Sequence, residues 1–154
     1  MKEHDSIKII VLYASIVFAS GVLFANMYNS IVDTTAWGAN FPQSIITTRD
    51  YYQSVNPGTF FRVFSTINQV LSLLTLILFW KSSANIRMFL IIAFLLYVIA
   101  DVFTFSYFYP RNDIMFKSGI STNLEAIKTA WRQWVPMNWL RSLIIFVGLI
   151  CSFI

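Results

Sequence analysis

The chain has 154 residues, of which 57% are hydrophobic and 18% aromatic, while only 12% are charged. A soluble domain of this length carries about twice that share of charge, so an integral membrane protein is expected rather than a water-soluble globule. The net charge of +4 is spread along the chain, which argues against a nucleic-acid partner, and the one cysteine, Cys151, excludes an internal disulfide and any two-thiol redox mechanism.

Residues 7–31 are nearly all apolar after a short polar start. About 20 helical residues at 1.5 Å rise cross a hydrocarbon core, so this run predicts a first crossing. Lys2 ahead of it and Val17-Phe18-Ala19 within it sketch a signal peptide, but the run continues through Val22-Leu23-Phe24-Ala25. That is long for a signal core, and a retained helix is expected. Near its far end Asn26, Asn29 and Asp33 fall at i, i+3 and i+7 on one face. Asp33 reads as a helix end meeting water.

Residues 32–58 form a connection too long to be structureless. Pro42 is placed to open a short helix carrying Ile45, Ile46, Arg49 and Tyr52. Trp37, Phe41, Tyr51 and Tyr52 suit the headgroup level, so the segment is expected to roof the bundle. Asn56-Pro57-Gly58-Thr59 supplies a cap and a proline start for a second crossing over 59–80. That helix carries a polar stripe of Arg62, Ser65, Gln69 and Ser72, with Asn68 and Thr75 beside it. A polar stripe in a membrane helix points into the bundle, where Ser, Asn and Gln commonly serve as interhelical glue. Arg62 reads equally as part of a site and as a side chain snorkelling to the headgroups.

The polar run 81–87 predicts a tight turn into a third crossing over 86–108, with Tyr97, Asp101 and Thr104 on one face. Asp101 lies well inside its helix end, and one methylene is too short to let a carboxylate snorkel. Pro110 is expected to stop the helix and Arg111-Asn112-Asp113 to make the turn. Thr122-x2-Glu125 matches a capping box, opening an interfacial helix with Leu124, Ile127, Trp131 and Trp134 on one face. Pro136 then marks a bend into a fourth crossing over 137–154, with Asn138 and Arg141 on its first turns.

The whole reading is all-α: residues 1–154 as a single transmembrane four-helix domain, with short interfacial helices in the two long connections. Those connections emerge on one side, and Asn26, Asn29, Arg62, Asp101, Asn138 and Arg141 lie toward it, with Gln69 a further candidate to bind a ligand. Polar groups at one level on four helices imply a pocket under the aromatic connections. Asp101 is expected to meet Arg62 or Arg141, directly or through one water. His4 is the only histidine and has no acidic or thiol partners at ligand spacing, so no metal set is present in the sequence. No glycine-rich phosphate loop and no activated serine or cysteine constellation is present either. A buried carboxylate beside guanidinium groups suits proton abstraction from an acidic carbon, with Asp101 as base and Arg62 or Arg141 on the oxyanion. It suits equally the plain binding of a lipophilic molecule with a polar end.

Pro110-Arg111-Asn112, followed by Trp134-x3-Asn138-x2-Arg141 opening the last helix, resembles the anthrone-oxygenase-like family of small four-helix membrane proteins. The resemblance is specific over 110–147 and architectural over 1–100. It implies that Asn112, Trp134, Asn138 and Arg141 match the family motif. It also implies, from some fungal relatives, oxidation of anthrones to anthraquinones by molecular oxygen without metal or flavin; no cofactor is therefore expected. Two classes stand: a cofactor-independent oxygenase or related proton-abstracting enzyme, and a non-enzymatic binder or accessory subunit. Membrane lipids and a lipophilic small molecule are the expected partners, in a bacterial plasma membrane with both termini cytoplasmic.

Overall fold

A computed structural model describes residues 3–153, except for the side chains of residues 3–5 and 120–122. The readings that rest on Lys2, on His4 and on a Thr122 cap lie outside the described residues. Within them all the regular secondary structure is helical, joined by short turns. Helix α1 (Glu3–Tyr28) runs through a π turn (Asn29–Asp33) into α2 (Thr34–Gly38). The lid helix α3 (Gln43–Tyr51) follows, then α4 (Pro57–Leu78). Helix α5 (Ala84–Phe103) passes through a second π turn (Thr104–Phe108) into α6 (Tyr109–Lys117). Helix α7 (Ile120–Ser152) completes the fold.

Four stretches, Ser6–Gly38, Pro57–Leu78, Ala84–Lys117 and Asn123–Ser152, are long and apolar enough to cross a membrane, and the protein is a multi-pass membrane protein. The outward faces are apolar, and several polar side chains turn inward beside an apolar core. On α4, Asn68, Ser72 and Thr75 are buried while Val63, Val70, Leu74 and Ile77 are exposed, the distribution that lipid as solvent selects. Helix α1 packs on α4 and α7, and α5 packs on the same two, closing a four-membered ring. Ile16, Ala19, Val22 and Leu23 meet Ala93, Tyr97, Ala100, Ile145 and Leu149 in its centre. A second cluster at one end joins Trp37 and Ile45 to Phe108, Met115, Ile127 and Trp134. The two long connections therefore pack on each other.

Local signals explain much of this. Asn56 caps α4 by accepting from the Gly58 N–H at 2.9 Å, and Pro57 occupies the first turn. The lid helix forms just after Pro42, with Ile45 buried beneath it. Arg49 on that helix donates from Nε and Nη2 to the Met115 carbonyl (3.0 and 2.6 Å) and from Nη1 to the Ser118 carbonyl (2.8 Å). One planar fork thus ties the lid helix to carbonyls at and just beyond the end of α6. Gly38 allows the Trp131 indole to lie against the end of α2, where a Cβ would sit 2.1 Å from the ring, while Trp131 Nε1 donates to the Thr34 carbonyl at 2.8 Å.

The structure corrects three expectations. Pro110 does not stop the third helix, and Arg111-Asn112-Asp113 lie inside α6 rather than in a turn. Proline breaks a regular helix because its ring strikes the carbonyl four residues back; here the preceding turn is π-wound, which shifts that carbonyl away and already breaks the regular ladder. The Arg111 Nη1 then donates to the Tyr107 carbonyl at 3.0 Å. Second, no separate interfacial helix precedes Pro136. The proline sits inside α7, and the backbone leaves helical angles at Asn123 instead (φ −132°, ψ 22°). Ile127, Ala130 and Trp134 pack into the end cluster, and the helix runs on through Pro136 into the crossing. Third, the first crossing does not end at residue 31 but continues through its π turn to Gly38.

Candidate functional site

Asn26 from α1 and Asn138 from α7 are fully buried and reciprocally bonded. Asn26 Nδ2 donates to Ser142 Oγ (2.7 Å) and to the Asn138 carbonyl (3.2 Å). Asn138 Nδ2 donates to Ser30 Oγ (2.6 Å) and to the Asn26 carbonyl (3.2 Å). Both side-chain oxygens are turned to Arg141, whose Nη2 donates to Asn138 Oδ1 at 2.6 Å and to Asn26 Oδ1. Its Nη1 donates to Thr104 Oγ1 in the second π turn at 3.0 Å. Phe108 and Phe61 cover the guanidinium with ring centroids at 4.4 and 5.2 Å. Arg141 is 6% exposed and its Nε finds no acceptor. Amides, a hydroxyl and aromatic faces meet this cation directly, and among the described residues it makes no ion pair, although Asp101 lines the chamber beside it.

Arg141 stands between two spaces. Above it, a cleft of about 540 Å³ opens under the lid, walled by Trp37, Tyr52, Phe108, Phe116 and Trp134 with Asn29 and Asn112. Below it lies a chamber of about 60 Å³ lined by Ser65, Asp101 and Thr104 among apolar neighbours. Phe61, Arg62, Thr104, Tyr109 and Arg141 border both. The upper space is of the size that holds drug-sized ligands, whereas the lower admits only a few waters.

The family model for anthrone oxygenase matches residues 58–151. This chain belongs to the anthrone oxygenase family. No curated protein and no solved structure matches it. Helices α4 to α7 lie in the stretch matched to the anthrone oxygenase family, while Asn26, which lines the chamber, and Trp37 and the lid, which wall the cleft, precede it.

The residues named from sequence fall into three groups. Asn26, Asn138 and Arg141 converge as described. Asn112 and Trp134 form a pair, Trp134 Nε1 donating to Asn112 Oδ1 at 2.9 Å, and both face the cleft. Asp101 and Gln69 form another, with Gln69 Nε2 donating to Asp101 Oδ2 at 2.6 Å and Ser65 beside the same carboxyl. Asp101 makes no ion pair with an arginine among the described residues; Gln69 reaches across from α4 to its carboxylate, while Asp101 and Arg141 line the same chamber. Arg62 is exposed and borders both spaces without a hydrogen bond or ion pair from its guanidinium among the described residues.

Sequence reasoning missed Ser30, Ser142 and Phe108 as partners of the site and read Thr104 only as part of a polar face. Ser142 lies four residues after Asn138, a spacing that was available. Ser30, Thr104 and Phe108 lie in the π turns, and regular helical spacing misplaces residues there. At the lid, burial pushes the Tyr52 phenol up to about 12, with Asp33 adding to the shift. Burial lowers the Arg49 guanidinium from its ordinary value. Among the described residues no group of three or more His, Cys, Asp or Glu is placed to hold a metal ion.

Proposed function

We propose that the protein is a membrane oxygenase that works without a cofactor on a lipophilic aromatic with an acidic ring carbon, an anthrone or a close analogue. The observation that carries this reading is Arg141: a buried guanidinium, bonded to neutral groups only, at the floor of an aromatic cleft large enough for a tricyclic ring system. Such a cation is poised for negative charge that appears during a reaction, the arrangement that stabilises an oxyanion in a water-poor site. In this scheme the substrate oxygen rests on Arg141 and Thr104. Asp101, through water in the chamber below, takes a proton from the ring CH₂, and the electron pair spreads onto the substrate oxygen as an enolate. Molecular oxygen accepts that electron pair in two one-electron steps, and a carbon–oxygen bond forms to give a hydroperoxide. Loss of the remaining C–H proton with cleavage of the O–O bond leaves a carbonyl and one water, so CH₂ plus O₂ becomes C=O plus H₂O.

Oxygen uptake with anthrone by the protein in nanodiscs tests this directly. Asp101→Asn keeps the shape and a hydrogen-bonding group, and it should lower the rate about a hundredfold to ten-thousandfold, the usual worth of a general base. Equal rates for wild type and variant remove Asp101 from this role. The near-complete internal pairing of Asn26 and Asn138 favours a second reading, in which the cluster fixes helix packing around a non-enzymatic binding cleft. Absence of uptake with several lipophilic aromatics selects that reading.

A further inference from the structure

Two guanidinium groups, Arg141 inside and the exposed Arg62, border the cleft, and neither makes an ion pair among the described residues. Arg141 meets only neutral acceptors, and Arg62 meets none among the described residues, although both border the cleft and the chamber beneath it. The other charges around the cleft are accounted for differently. Arg49 is spent on the Met115 and Ser118 carbonyls, and Lys117 on Asp113 at 2.6 Å. Asp50, at the rim, takes a long bond from Gln53 at 3.4 Å. Asp101 does not line the cleft at all; it faces the lower chamber and accepts from Gln69. Arg62 thus borders an aromatic cleft with no carboxylate of its own among the described residues, and an anionic group on a ligand would supply the missing partner. A substrate with a single developing oxyanion answers Arg141 and leaves Arg62 as it was.

We propose that the cleft takes polycyclic aromatics that carry a carboxylate in addition to the reacting oxygen, with Arg62 binding the carboxylate at the mouth and Arg141 holding the oxygen inside. This rests on the cleft being the substrate site of the oxygenase reading and adds the substrate class to it. Arg62 is a specificity residue here, in contact with a remote anionic group and not with the reacting atoms. A guanidinium and a carboxylate meet as a planar two-point pair, which lysine reproduces in charge but not in geometry. A lipid phosphate offers Arg62 the same chemistry, since this side chain is exposed near one end of α4, and the test has to separate the two sources.

Binding measured by tryptophan quenching suits the site, because Trp37 and Trp134 line the cleft. The probes are anthraquinone-2-carboxylate and uncharged anthraquinone, with the full chain in phosphatidylcholine nanodiscs. Wild type should prefer the carboxylate about tenfold or more, the scale of one charge-assisted hydrogen bond. In Arg62→Gln that preference should collapse, and Arg62→Lys should keep part of it. A preference that survives in Arg62→Gln, or none in wild type, overturns the assignment. So does a preference that vanishes when the discs are made rich in phosphatidylglycerol, which assigns Arg62 to lipid headgroups. The readout is binding alone, so a chain that shows the preference but takes up no oxygen refutes the oxygenase reading and leaves this one standing.

Discussion

Asn138→Ala separates the worth of a buried cation's acceptor from that of ordinary helix glue. The substitution removes the Asn138 Oδ1 that accepts from Arg141 at 2.6 Å, together with two donor bonds, to Ser30 Oγ at 2.6 Å and to the Asn26 carbonyl at 3.2 Å. A hydrogen bond to a charged group contributes about 1.5–3 kcal/mol, whereas neutral interhelical bonds in membranes average about 0.6 kcal/mol each. The loss should therefore total roughly 3–4 kcal/mol, most of it from the acceptor taken from the guanidinium, which keeps Asn26 and Thr104. At about 2–4 °C per kcal/mol this lowers Tm by roughly 10 °C. Ser30→Ala removes one neutral partner of Asn138 and its own bond to the Asn26 carbonyl, so it should cost only about 1 kcal/mol. Asn138→Asp keeps an acceptor for the cation and loses the donor, so it should fall between the two.

The assay is thermal unfolding of the purified protein in one detergent, followed by tryptophan fluorescence. If Asn138→Ala loses no more than Ser30→Ala, the cation is not being held by this amide and the account of Arg141 fails. If Asn138→Asp is as damaging as Asn138→Ala, the loss comes from the donor side or from packing, and the electrostatic part of the argument fails.

Three further outcomes follow from the lid and the charge distribution. The Tyr52 phenol titrates near 12 in the folded state against an ordinary value near 10. Over that interval the unfolded chain holds fewer protons than the folded one, so stability is fully present below about pH 10 and declines as pH rises toward 12. Melting curves between pH 9 and 12 should fall more steeply for wild type than for Tyr52→Phe, and parallel curves would contradict the assignment. Arg49→Lys replaces a fork that reaches two carbonyls with a single ammonium, so hydrogen exchange over residues 43–51 should rise while the crossings stay protected. Unchanged exchange there would show that Ile45 and its neighbours hold the lid alone. Finally, Lys8, Lys81 and Arg87 lie on the side of the termini and favour its cytoplasmic placement, although Arg49, Arg111, Lys117, Lys128 and Arg132 oppose it. A C-terminal reporter active only outside the cytoplasm should stay silent, and a signal from it reverses the topology.

The crossings and their polar faces were legible because lipid imposes a simple code. A helix that places Asn68, Ser72 and Thr75 on one stripe and Val63, Val70 and Ile77 on another has one stable orientation in a bilayer. The proline start of α4 and the lid helix after Pro42 were legible for the same reason: each depends on a few adjacent residues. Partner choice was not. Asp101 and Arg141 share a level, and charge alone pairs them. Gln69, reaching from α4, and the amides of Asn26 and Asn138 compete for the same groups, and three-dimensional distances decide between them.

The two π turns account for the misread ends of the first and third helices and for the shape of the site. Each inserts an extra residue into a helical turn and rotates everything beyond it, so a face counted at regular spacing from Tyr97 or Asn26 drifts off target within one turn. In the second π turn this rotation brings Thr104 onto Arg141 and swings Phe108 over the guanidinium, while the helix continues past Pro110. In the first it buries Asn29 and Ser30 together and leaves Ser30 to accept from Asn138. A regular helix ending at Pro110 would supply neither Asn112 to pair with Trp134 nor the α6 carbonyls on which Arg49 closes the lid. The cleft above Arg141 thus depends on two departures from regular helix that no count of 3.6 residues per turn contains.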